Sequence, residues 1–115
     1  MTIELKVVRK RQSMEDDLCP FSRTVHLIGD KWSLLIIRDL LNVAKRFGWL
    51  QNSLGRVSPK TLSERLKMLD AAGLINRTAF AEIPPRVEYS LTERGAALAD
   101  VIHAMEAYGT QYLSE

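Results

Sequence analysis

Five consecutive residues, Gly55-Arg56-Val57-Ser58-Pro59, constrain this chain more than any other stretch. Glycine tolerates the left-handed backbone that stops a helix. Serine followed by proline starts one: the hydroxyl caps free backbone N–H groups, and proline suits the first turn. Two helices therefore have to meet across a three-residue turn. Upstream, Phe47, Leu50 and Leu54 share one side of a short helix over about 47–54. Downstream, at roughly 100° per residue, Leu62, Leu66 and Leu69 fall on one face. Lys60, Glu64, Lys67 and Ala71 fall opposite, Arg65 lies at the edge, and Gly73 ends the helix.

The segment after Gly73 changes period. Leu74 to Phe80 reads as a strand, with Thr78 and Phe80 favouring it. Val87, Tyr89 and Leu91 alternate with Glu88 and Ser90, which predicts a second strand with one buried face. Glu82-Ile83-Pro84-Pro85-Arg86 lies between them. Two prolines cannot extend a central ladder, so this is a stiff hairpin tip. Thr92 caps the last helix, whose apolar stripe is Leu98, Val101, Ile102, Met105, Tyr108 and Tyr112. Before the helix pair, Pro20 opens a helix with Cys19 at its cap and Val25, Leu27 and Ile28 on its stripe. Gly29 stops it, and Asp30 caps a second helix carrying Trp32, Leu35, Ile36 and Leu40. A helix this apolar is central to a core. Residues 1–18 read as an arm, in which Ile3, Leu5 and Val7 alternate with charges before Arg9-Lys10-Arg11.

The expected fold is therefore α+β: a helix-turn-helix followed by a two-stranded wing, with flanking helices for dimerisation. The domain runs over 19–115 behind the arm at 1–18. At 115 residues the chain can bury one core without disulfides or metals. A single cysteine excludes an internal disulfide and a multi-cysteine zinc site. With charges where the core of a signal peptide would lie, it points to a reducing cytoplasm. The longest apolar run, Leu34 to Ile37, is too short for a bilayer, so no membrane partner is expected.

Charge is distributed unevenly. Residues 19–55 and 56–77 each carry five basic and two acidic side chains, whereas residues 92–115 carry one basic and four acidic. One face is thus suited to an anion. The first turns of the second helix of the pair present Ser58, Lys60, Thr61, Ser63 and Glu64, with Arg65 and Lys67 beyond. These residue types reach base edges and phosphates in a major groove, and the helix dipole adds positive potential there. Arg86 at a rigid tip suits a phosphate or minor-groove contact. The excess of apolar residues on the last helix is best buried against a second copy.

The chain also resembles the HxlR-type winged helix-turn-helix transcriptional regulators of bacteria. The resemblance rests on Cys19-Pro20, on Ile28-Gly29-Asp30-Lys31-Trp32-Ser33-Leu34-Leu35-Ile36 and on Arg46-Phe47-Gly48. It continues through Ser58-Pro59-Lys60-Thr61-Leu62-Ser63-Glu64-Arg65-Leu66 and Pro84-Pro85-Arg86-Val87-Glu88-Tyr89-Ser90-Leu91-Thr92. It implies a homodimeric regulator of double-stranded DNA whose terminal helices build the dimer. It also implies that a cysteine in the place of Cys19 senses oxidants or electrophiles in several members. Trp49 departs from the pattern, because a charged residue usually follows the Phe-Gly pair; an extra core or interface residue is the expectation. Trp32, Phe47, Trp49 and Phe80 are expected in the core rather than as a ligand box.

Other chemistries find little support. His26 and His103 lack metal-ligand spacing. Cys19 and His26 would stand about 10 Å apart along a helix, too far for a catalytic hydrogen bond. No glycine-rich phosphate loop is present, so neither an enzyme nor a cofactor is expected. Cys19 has two readings, a thiol activated by the helix N-terminus and Arg23, or a plain cap residue. Two functions stand: a DNA-binding regulator, and a winged-helix domain that docks a protein without binding DNA.

Overall fold

The computed structural model describes residues 19–114 of the chain; the arm and its expected strand lie outside the described residues. The chain divides into two compact units at Asp30–Lys31. The first contains α1 (Pro20–Ile28), which begins with Pro20 at its first turn and Cys19 as cap residue. Phe21 and Val25 of this helix are exposed, while Ile28 is buried.

The second unit runs α2 (Lys31–Asp39), β1 (Lys45–Arg46), α3 (Phe47–Leu54), α4 (Pro59–Ala71), β2 (Ile75–Phe80), β3 (Arg86–Leu91), α5 (Glu93–Ala96) and α6 (Ala99–Tyr112). The buried line of α2 is Ser33, Ile36, Ile37 and Leu40, the i, i+3, i+4, i+7 spacing of one helix face. Around it lie Leu50 and Leu54 of α3, Val57 of the turn, Leu62, Leu66 and Leu69 of α4, Leu74, Ile75 and Ile102. The leucine face expected on α4 is thus the face that enters the core.

The wing differs from the expected hairpin by one element. Lys45 and Arg46 form a short third strand, and the sheet order is β1-β3-β2, antiparallel throughout. Two residues carry no periodicity, so β1 exists only because β3 offers it a partner: Lys45 faces Tyr89 and Arg46 faces Glu88. For the same reason β3 does not alternate in and out. It is the central strand, and every residue from Arg86 to Leu91 is half-buried.

The last helix is also divided. Thr92 caps α5, its hydroxyl accepting the Gly95 N–H at 3.0 Å, and α6 starts only at Ala99. Gly95 lies against the Leu74 backbone, where an added Cβ would stand 2.1 Å from the Leu74 carbonyl oxygen. The segment leading into β2 and helix α5 can therefore close on each other only over a glycine.

Candidate nucleic-acid interface

The turn between α3 and α4 is built from backbone contacts. Gly55 takes φ 68°, its N–H donates to Gln51 O at 3.0 Å, and Gln51 Nε2 donates to Val57 O at 3.2 Å. Ser58 then caps α4: its Oγ accepts the Thr61 N–H at 3.1 Å and donates to Thr61 Oγ1 at 3.0 Å. One capping bond of this kind holds about 1 kcal/mol. The Thr61 hydroxyl is thereby part of the cap as well as part of the helix surface.

Both ends of this helix pair are tied to neighbouring elements. Ser53 Oγ donates to Asp39 Oδ2 at 2.7 Å, joining α3 to α2. At the far end Gly73 adopts φ 80°, and Leu74 N–H reaches back to Leu69 O at 3.0 Å. Thr92 Oγ1 donates to Gly73 O at 2.7 Å, and Arg94 Nη1 donates to Ala72 O. The end of α4 is thus clamped to the segment that follows the wing, and this sets the angle between helix and wing.

On α4, Ser58, Lys60, Glu64 and Lys67 are exposed, and Thr61, Ser63 and Arg65 are half-buried. The helix brings Lys60, Ser63, Glu64 and Lys67 to the outer surface of the unit, opposite its buried leucines. Arg86 stands differently from the expected free cation at a loop tip. It is the first residue of β3, its guanidinium lies 3.9 Å from the Phe80 ring, and it pairs with Glu82 at 2.9 Å and Glu88 at 3.4 Å. Only 26% of its side chain is exposed. The prolines put the turn at 81–85 and leave Arg86 inside the sheet.

The sequence pattern missed Arg77. It lies exposed on β2, opposite Tyr89 in the ladder, and lines a cavity of about 260 Å³ with Ser63, Lys67 and Asp70. A polar residue in a strand with an exposed burial pattern carries no sequence signal of function; only the sheet brings it beside Lys67. Among the described residues, Lys45, Arg46, Arg56, Lys60, Lys67 and Arg77 make no ion pair. All six lie between β1 and β2. Of the core-or-interface expectation for Trp49, the core half fails: it is 46% exposed, with the Lys45 ammonium 3.7 Å from its ring centroid. The other three aromatics, Trp32, Phe47 and Phe80, are half-buried.

Cys19 is half-buried and makes no side-chain capping bond to α1. Among the described residues no helix is long and apolar enough to cross a membrane, and no three His, Cys, Asp or Glu side chains cluster as metal ligands would.

Comparisons with known proteins agree with this geometry. Residues 27–115 match the model of the HxlR-like helix-turn-helix family. The chain is 44% identical over 98 residues to the uncharacterized HTH-type transcriptional regulator sll1512 of Synechocystis, covering 85% of this chain and 73% of that protein. Its fold is similar to that of the redox regulator HypR in its oxidized form, with TM-score 0.80, 30% identity and coverage of 84% of this chain and all of that one (100%). It is also similar to the reduced transcriptional regulator YodB of Bacillus subtilis, with TM-score 0.71, 36% identity and coverage of 84% and 96%. Proteins of this kind are transcriptional regulators rather than enzymes. The match over residues 27–115, on a chain whose α3–α4 pair is a helix-turn-helix, shows that the chain belongs to the HxlR-like helix-turn-helix family.

Proposed function

We propose that this protein is a homodimeric, sequence-specific regulator of double-stranded DNA working in the cytoplasm. Helix α4 enters the major groove with Lys60, Thr61, Ser63 and Glu64 toward base edges, Ser58 at the capped entrance, and Arg65 and Lys67 toward phosphates. The single observation that carries the reading is the segregation of charge. Six of the cations that make no ion pair among the described residues, Lys45, Arg46, Arg56, Lys60, Lys67 and Arg77, fall in the stretch from β1 to β2, while α5 and α6 carry Glu93, Asp100 and Glu106 against the single cation Arg94. Arg77 supplies the wing's free cation, and Arg86 reaches a phosphate only by exchanging it for Glu82 or Glu88.

The dimer face is α6. Met105, Tyr108 and Tyr112 are 51%, 60% and 64% exposed, and Leu34, Leu35, Ile102 and Met105 line an apolar groove between α2 and α6. Apolar side chains in a line of this length are what a two-fold interface covers. Cys19 makes the regulator responsive to oxidants or electrophiles. The support is the chain's single cysteine, half-buried at a helix start, and likeness to HypR, a redox regulator, and to YodB, which has a diamide-treated form.

Selecting bound duplexes from a random pool tests the function. An inverted repeat with half-sites about one helical turn apart, or a multiple of it, is the expected product. Recovery of no enriched sequence would favour the protein-docking alternative. Diamide treatment is expected to change binding of the selected duplex by the wild type and not by Cys19→Ser. An equal response of the two proteins would leave Cys19 as a cap residue.

A further inference from the structure

Trp49, Lys45 and Arg46 form a surface that the reading helix does not account for. Trp49 is a large aromatic left 46% exposed beside two cations. The Lys45 ammonium lies 3.7 Å from the Trp49 ring centroid, so the charge is held in place instead of ranging freely. Arg46, next in the chain, is exposed and makes no ion pair among the described residues. With Ala44, Gly48, Asn52 and Glu88 these side chains line an open hollow of about 540 Å³. The one acid in it, Glu88, is paired with Arg86 at 3.4 Å, so the two lysine and arginine charges are unbalanced.

We propose that this surface is a second contact with duplex DNA, in which Lys45 and Arg46 hold backbone phosphates while Trp49 packs on the adjoining sugars. The inference rests on the DNA-binding reading above and adds to it a site outside α4. Three features favour a nucleic-acid backbone over an acidic protein segment or a small anion. The hollow is open, as an extended strand requires and an enclosed ligand does not. It belongs to α3, the first helix of the same helix-turn-helix, and so shares a rigid unit with Lys60 and Lys67. The β1–β3 pairing, Lys45 with Tyr89 and Arg46 with Glu88, fixes both cations relative to the wing, so all three contacts engage together.

The experiment measures binding to a 30-base-pair duplex recovered by selection, at a series of salt concentrations. Proteins compared are the wild type, Lys45→Ala with Arg46→Ala, Trp49→Phe, and Lys60→Ala. Loss of two phosphate contacts should flatten the slope of log affinity against log salt by about 1–2. At low salt the double variant should bind at least tenfold more weakly. The emission of Trp49, taken as the difference between wild type and Trp49→Phe, should be quenched on adding the duplex. An unchanged slope in a double variant with native circular dichroism, or an unquenched Trp49, overturns this inference. A Lys60→Ala protein that binds like the wild type overturns the reading of α4 instead, and the two failures are told apart because they fall on different variants.

Discussion

Lys60 and Arg86 carry the same charge and occupy opposite situations. Lys60 is exposed in the first turn of α4 and has no partner carboxylate among the described residues. Its replacement by alanine should leave stability nearly unchanged and weaken operator binding by on the order of 1–3 kcal/mol, measured by anisotropy titration. Arg86 is bound to two carboxylates and to the Phe80 ring. Exposed ion pairs hold little, about 0–1 kcal/mol each, but here a half-buried guanidinium ties both ends of the turn at 81–85. Arg86→Ala should loosen the wing and lower affinity while the salt slope stays near that of the wild type. Arg77→Ala should do the reverse, flattening the slope by about 1 with no loss of stability. A flattened slope for Arg86→Ala would show that it leaves its carboxylates to meet a phosphate.

At the scale of elements, the angle between α4 and the wing is held by a few backbone-directed bonds. Thr92 and Arg94 grip the carbonyls of Gly73 and Ala72, and α5 approaches Leu74 over Gly95. Gly95→Ala should destabilise the domain by about 1–3 kcal/mol in urea unfolding, because backbone must shift to admit the methyl group. A variant as stable as the wild type would mean that α5 can move without cost. Ser58→Ala removes the cap of α4 and should cost about 1 kcal/mol. Since the cap also fixes the Thr61 hydroxyl, operator affinity should fall as well, and a stability loss with unchanged affinity would separate capping from reading.

For the molecule as a whole, the prediction is symmetry. One copy leaves Met105, Tyr108 and Tyr112 of α6 exposed in a line. Met105→Glu with Tyr108→Glu should shift the protein to monomer in sedimentation velocity at micromolar concentration and weaken operator binding by at least tenfold, as half-sites are then held singly. Each 1.4 kcal/mol lost is a factor of ten. A variant that remains dimeric would move the interface off α6. On the proposed reading, the acids Glu93, Asp100 and Glu106 on α5 and α6 disfavour DNA on this side, so the dimer contact and the DNA contact would occupy different faces.

Local chemistry was enough to place the helix pair, its capped second member, the di-proline turn and the leucine face of α4. Each rests on contacts within a few residues: a serine oxygen reaching an N–H three positions on, a glycine able to take positive φ, leucines recurring each turn. The lysines and polar residues of α4 were legible for the same reason, because a helix with one buried face must expose the other. Long-range pairing decided the rest. A two-residue strand has no period, so β1 became a strand only when β3 came beside it, and that placed β3 in the middle with both faces half-covered. The same sheet drew Arg86 between Glu82 and Glu88, left Arg77 free beside Lys67, and turned Trp49 outward under Lys45. Sequence lists which charges exist; whether they find partners, even two or four residues away as Arg86 does with Glu88 and Glu82, depends on the strand and turn geometry that brings them within a few ångströms.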